Sequence, residues 1–113
     1  TTCYDETVSF YQGLGFTEAF SMTFDDGERL IFLRLKGLLL EIYEASQSAG
    51  IAGAVDHIAI DVTDIESVFD AIKAEGYVLL DDHVCSMPFW SNGEKYFTIQ
   101  GPNKEKIEFV QIL

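Results

Sequence analysis

"GAVDHIAIDVTDIESVFDAIKAEGY", residues 53–77, decides how this chain is read. Its first part alternates apolar and polar residues with period two, the pattern of a half-buried strand over 55–62. The period then lengthens. Thr63 or Asp64 can cap a helix that turns Val68, Phe69 and Ile72 inward, and Glu75-Gly76-Tyr77 ends it. On the strand, Ile58, Ile60 and Val62 belong beneath that helix, which leaves His57, Ala59 and Asp61 on the opposite face. A histidine on a strand must find partners for its ring nitrogens, so His57 is either a satisfied core group or a ligand.

Working outward from this stretch, strands follow at about 77–80, 94–100 and 105–112, giving the order strand, helix, strand, strand, strand. On the other side the same order recurs. Asp5 to Gly13 reads as an amphipathic helix with Val8 and Tyr11 inward, stopped at Gly13-Leu14-Gly15-Phe16. Strands at 17–23, 28–36 and 38–44 come next, separated by the turns Asp25-Asp26-Gly27-Glu28 and Lys36-Gly37. "GLLLEIYE" (37–44) resembles "KEKIEFVQ" (104–111), so two copies of one βαβββ unit, 1–46 and 53–113, are expected within a single α+β domain. The small, polar stretch "EASQSAGIAGA" (44–54) connects them. The opening strand of the first copy is absent, and the chain starts at Thr1 without a methionine, so that strand is expected to precede Thr1. One such unit leaves a sheet face bare, and two pairing units would form a curved mixed sheet around a cleft.

The chain has 113 residues, 48% of them hydrophobic, enough for a core in one globular domain. Nineteen acidic against 7 basic residues give a net charge of -12, which argues against nucleic acid and anionic membrane surfaces and favours a small-molecule partner. No apolar run is long enough to cross a bilayer and no leader is visible. Two cysteines, Cys3 and Cys85, form neither a disulfide framework nor a zinc-binding spacing, and a reducing, cytoplasmic setting is expected.

Alternation places Glu108, Val110 and Ile112 on the face opposite Ile107 and Phe109. Glu41 is the lone carboxylate of its apolar run, with Leu39 and Tyr43 beside it. His57, Glu41 and Glu108 can then converge, and imidazole with carboxylates is a ligand set for Ni, Zn, Co, Mn or Fe. Taken singly, each has a plainer reading as a structural histidine or a solvated glutamate.

These residues, in this order, resemble the vicinal oxygen chelate superfamily, which includes glyoxalase I, bleomycin and fosfomycin resistance proteins and extradiol dioxygenases. "YDETVSFYQGLGF" is similar to its first helix, "LLLEIYE" to a ligand-bearing strand, and "VDHIAIDVTDIESVFDAIKAEGY" to the start of its second module. "KYFTIQGPNKEKIEFVQ" is similar to its closing hairpin, although Gly101 stands for the usual Asp there and Lys104 for the usual Gly. The resemblance implies that Glu41, His57 and Glu108 are three of four metal ligands, the fourth lying before Thr1. It also implies a homodimer and glyoxalase I-like lyase or isomerase chemistry on a substrate held through neighbouring oxygens, passing through an enediolate. Glu108 would be the chief base and Glu41 its symmetric partner, with a thiol such as glutathione as a further cofactor. The competing class is a metal-free module of the bleomycin-resistance type, in which Phe89, Trp90 and Tyr96 form an aromatic wall; the plain alternative packs Phe89 and Trp90 at a rim or a dimer seam.

His83 reads as a solvated loop residue. Cys85 has only His83 as a basic neighbour and is not read as a nucleophile. Asp25-Asp26-Gly27 lacks the later ligands of a calcium loop, and Gly13-Leu14-Gly15 follows a helix where a phosphate loop would precede one.

Overall fold

The computed structural model describes residues 1–53 and 55–113, so Ala54, at the end of the expected connecting stretch, lies outside it. The chain divides into two compact units, Thr1–Gly50 and Ile51–Leu113. Both are α+β.

In the first unit, helix α1 (Tyr4–Gly13) precedes three strands, β1 (Thr17–Thr23), β2 (Arg29–Leu35) and β3 (Leu38–Tyr43). They form one antiparallel sheet in the order β1-β2-β3. Register sets Ile31 opposite Ile42 and Leu33 opposite Leu40. Ile31, Leu33 and Ile42 are buried with Tyr11 and Phe16, whose rings meet edge to face at 5.4 Å. The hairpin turn holds Gly27 at φ +88°, a conformation glycine adopts without strain. Arg29 fastens the helix to the sheet: its guanidinium donates to Asp5 Oδ1 and Glu44 Oε1, both at 2.8 Å, and stacks 4.2 Å from the Tyr4 ring.

The second unit runs β4 (His57–Asp61), α2 (Ile65–Ala74), β5 (Val78–Leu79), β6 (Cys85–Met87), β7 (Glu94–Gln100) and β8 (Lys106–Ile112). Its mixed sheet has the order β4-β8-β7-β5, with β6 also on β7, and β4 lies parallel to β8. Asp64, not Thr63, caps α2: its carboxylate accepts from the Ser67 backbone N–H at 3.2 Å. The helix buries Ile65, Phe69 and Ile72. Beneath it, Phe97 is fully buried, edge-on to Phe69 at 5.1 Å and stacked on Phe109 at 5.0 Å.

Two sequence expectations need correction here. The strand expected over 55–62 is shorter, His57–Asp61, and just before it the Asp56 carboxylate accepts from Lys106 Nζ at 2.9 Å. The segment before Trp90 is not all loop. After Leu80, the Asp81 carboxylate, in place of a backbone carbonyl, accepts the Thr98 N–H at 2.8 Å, so β5 ends after two residues. The chain then returns as β6, further along β7, with Cys85 opposite Tyr96 and Met87 opposite Glu94. Three residues carry too little alternation to announce a strand.

The closing turn holds both positions at which the chain departs from the resembling family. A Cβ on Gly101 would collide with the Glu105 carboxylate, which accepts the Asn103 N–H at 2.7 Å. Lys104 sits at φ +66°, the left-handed region that suits glycine.

Candidate functional site

The face of the second sheet opposite α2 carries the site. β4 offers His57 and Ala59, β8 offers Glu108, Val110 and Ile112, and β7 offers Glu94 and Tyr96. With Met87, Phe89 and Trp90 they line a pocket of about 480 Å³, a size suited to a small ligand. Parallel pairing puts Ala59 level with Glu108, so His57 stands diagonally beside that carboxylate.

His57 is oriented from behind. Its Nδ1 lies 3.0 Å from Asp56 Oδ1, and Asp56 is in turn braced by Lys106. The Asp56 carboxyl is held below the ordinary carboxylate range, first by His57 and then by Lys106. The other ring nitrogen, Nε2, faces Glu108 Oε2 at 3.7 Å, too far for a hydrogen bond. A carboxylate behind one ring nitrogen of a histidine is the arrangement that orients metal-binding imidazoles.

Burial pushes the Glu108 carboxyl above its usual range; His57 opposes this, while Glu94 and Asp81 add to it. Glu94 is itself buried, and its Oε2 accepts the Trp90 indole N–H at 2.8 Å. That bond holds Trp90 with its backbone at φ +61°, a strained conformation for a bulky residue. Tyr96 keeps its phenolic proton more tightly than usual, mainly because of Cys85.

Of the residues singled out in the sequence, His57, Glu108, Phe89, Trp90 and Tyr96 meet at this pocket. Phe89 and Trp90 stand on its rim, 54% and 67% exposed. Glu41 and Tyr43 belong to the first unit, exposed on one face of β3, where Glu41 pairs with Phe32. Glu94 and Asp56 were not singled out, though the signals existed: Glu94 shares the strand parity of Tyr96, and Asp56 directly precedes His57.

Glu41 is nevertheless the counterpart of Glu108. The Thr7 N–H donates to Cys3 O as Val68 does to Asp64 O, and Gly15 donates to Gln12 O as Gly76 does to Lys73 O. Thr1 stands at the same offset from Val62, and the Thr1 amine donates to Tyr43 O at 2.8 Å as the Val62 N–H does to Val110 O at 2.8 Å. Two residues before those carbonyls stand Glu41 and Glu108.

Within neither unit do three described His, Cys, Asp or Glu side chains gather closely enough to hold a metal ion. His57 and Glu108 do fit as two ligands of one ion, because donors about 2.1 Å from a shared ion stand about 3.0–3.4 Å apart. Their 3.7 Å separation is close to that spacing. No helix among the described residues is long and apolar enough to cross a membrane.

Comparison with known proteins agrees with this architecture. YwbC of Bacillus subtilis (strain 168), an uncharacterized protein, is 36% identical over 59 residues, 52% of this chain and 44% of that protein, so the match spans under half the relative's length. A glyoxalase family protein from Enterococcus faecalis superposes with a TM-score of 0.77 at 22% identity, covering 95% of this chain and 87% of its own. The fosfomycin resistance protein FosX from Listeria monocytogenes, in complex with Mn(II) and sulfate, superposes with a TM-score of 0.71 at 16% identity, covering 96% and 83%. These likenesses concern the fold. The sequence model of the Glyoxalase/Bleomycin resistance protein/Dioxygenase superfamily matches residues 1–109, and the chain is a member of that superfamily.

Proposed function

We propose that this protein is a metal-dependent, glyoxalase-like lyase or isomerase that acts on a small substrate with two neighbouring oxygens. The observation that carries this reading is the set Asp56, His57 and Glu108: an imidazole locked from behind, its free nitrogen turned toward a partly buried carboxylate. In this reading His57 and Glu108 would hold the divalent ion, and Glu41, the first unit's counterpart of Glu108, is the further carboxylate we propose as a ligand. FosX, a member of the same structural neighbourhood, is described with Mn(II), which supports a divalent ion without naming the metal. Such an ion, when bound, supplies Lewis-acid polarisation of the substrate oxygens.

The chain's own groups do the rest. Glu108, whose proton affinity burial has raised toward the working pH, accepts the proton from the carbon beside the carbonyl and returns it to the neighbouring carbon. Val110 gives the pocket a buried apolar wall, with Met87 and Ile112 on its more open side, and Trp90 and Tyr96 flank the substrate's tail. A thiol such as glutathione fits as the part of the substrate that forms a hemithioacetal. We include a homodimer in a reducing, cytoplasmic setting, because Phe20, Leu39 and Tyr43 present large, exposed apolar surfaces on the first unit.

The test is isomerisation of a 2-oxoaldehyde hemithioacetal to the hydroxyacyl thioester, assayed with added Ni, Zn, Co, Mn or Fe. Turnover that Glu108→Gln lowers by about a hundredfold or more supports the reading. A second reading rests on the same pocket. Its aromatic rim suits metal-free capture of a flat or cationic drug-like ligand, as in bleomycin resistance. Trp90 is the chain's one tryptophan, so quenching of its fluorescence by such ligands in the presence of chelator would favour that reading.

A further inference from the structure

A second reactive cluster lies on the same sheet face, beyond Tyr96, and the proposed metal chemistry does not use it. β6 sets Cys85 directly across from Tyr96, so the thiol shares the pocket-bearing face with Tyr96 and Met87. Asp82 Oδ1 pairs with His83 Nδ1, and His83 Nε2 reaches Cys85 Sγ at 4.0 Å, within the range of a hydrogen bond to sulfur. Carboxylate, imidazole and thiol thus stand in series over four residues, the order in which a base held in one tautomer activates a nucleophile. Tyr96, directly across from Cys85 on β7 and with its phenolic proton held more tightly by that neighbour, is a ready donor for an oxygen that gains charge there. The Cys85 sulfur meets His83 at its ring Nε2, 4.0 Å away, and at its backbone carbonyl, 3.7 Å away, so the basic group beside the thiol is His83.

Cys3 supplies the contrast. It is equally half-buried, but its sulfur contacts the Thr1 and Thr7 hydroxyls at 3.4 and 3.6 Å, which are not bases.

We propose that Cys85, with His83 as its general base, is a covalent acceptor site for soft α,β-unsaturated carbonyl compounds. The sulfur forms a bond to the β-carbon, the carbon–carbon π bond opens, and its electron pair moves onto the carbonyl oxygen opposite Tyr96. The thiol proton passes to His83 Nε2 and then to the α-carbon, so the product is a thioether and the net change is simple addition. The apolar rim nearby receives the carbon tail. The site needs no metal and stands independently of the isomerase reading.

The probe is methyl vinyl ketone, added below stoichiometry to the full-length chain at neutral pH, with adducts at Cys85 and Cys3 timed by peptide mass spectrometry. Cys85 is expected to react about tenfold faster than Cys3, and in denaturant the two rates should converge. His83 is exposed, so His83→Ala leaves the fold intact. It should bring the Cys85 rate down about tenfold, and added imidazole should restore part of the loss at Cys85 and none at Cys3. Equal rates at the two cysteines, or a Cys85 rate indifferent to His83→Ala, would overturn the proposal. A loss that imidazole does not repair would assign His83 a shaping role and overturn its part as base.

Discussion

The two units use one frame and differ in what they hang on it. Both start a ten-residue helix at the same offset, both end it with a glycine at positive φ, and both put a glutamate two residues before the carbonyl that receives the chain ahead of the helix. In the second unit β8 lies between β7 and a parallel strand, β4, and that strand brings the histidine. In the first, β3 pairs with β2 among the described strands, and Thr1 bonds to Tyr43 and Ala45 at its end. In the second unit the neighbouring strand sets an oriented imidazole beside the carboxylate, and burial raises that carboxylate's proton affinity.

The largest expected effect breaks the frame itself. Phe97 is fully buried between Phe69 and Phe109, so Phe97→Ala should cost about 3–5 kcal/mol in urea unfolding and collapse the pocket with it. A change under about 1 kcal/mol would mean that the stack does not organise the second unit.

Next comes the support behind His57 in the second unit. Asp56→Asn keeps the shape and removes the charge behind His57, and should weaken divalent-metal affinity by about 10–100-fold in a calorimetric titration. Unchanged affinity would sever His57 from the carboxylate behind it.

The helix starts sharpen the comparison further. Asp64→Ala removes a side-chain cap and should lower Tm by about 3–5 °C, whereas Cys3→Ala at the matching position, which caps nothing, should cost less. Equal losses would show that the caps do not distinguish the units.

The smallest effect concerns Glu108. Because burial raises its pKa, the folded metal-free chain holds this proton more readily than the unfolded chain, and the fold is penalised as pH rises through the raised value. With metal removed by chelator, Glu108→Gln should therefore be more stable than the parent at neutral pH, by under about 1 kcal/mol, with the gap closing below the ordinary carboxylate range. A variant less stable at neutral pH would contradict that sign.

Much of this architecture is legible in the sequence because it rests on local period. The change from alternation to a helical period after Asp61 marks β4 and α2, and the same parity puts His57 and Glu108 on one face. What escapes is whatever depends on side chains taking over backbone roles. Asp81 ends β5 by capturing the Thr98 N–H, which sends the chain out and back as β6. The Glu105 carboxylate occupies the space beside Gly101. Glu94 was legible by parity with Tyr96, but its bond to Trp90 depends on a left-handed backbone that no propensity announces.

The most direct test of the central claim is the metal content of the protein, purified without chelator or a metal-carrying tag and measured by elemental analysis beside His57→Ala and Glu41→Ala. The account predicts a bound divalent transition metal in the parent and its loss from both variants. A metal-free parent that does not reload, or a metal that survives His57→Ala, would contradict it.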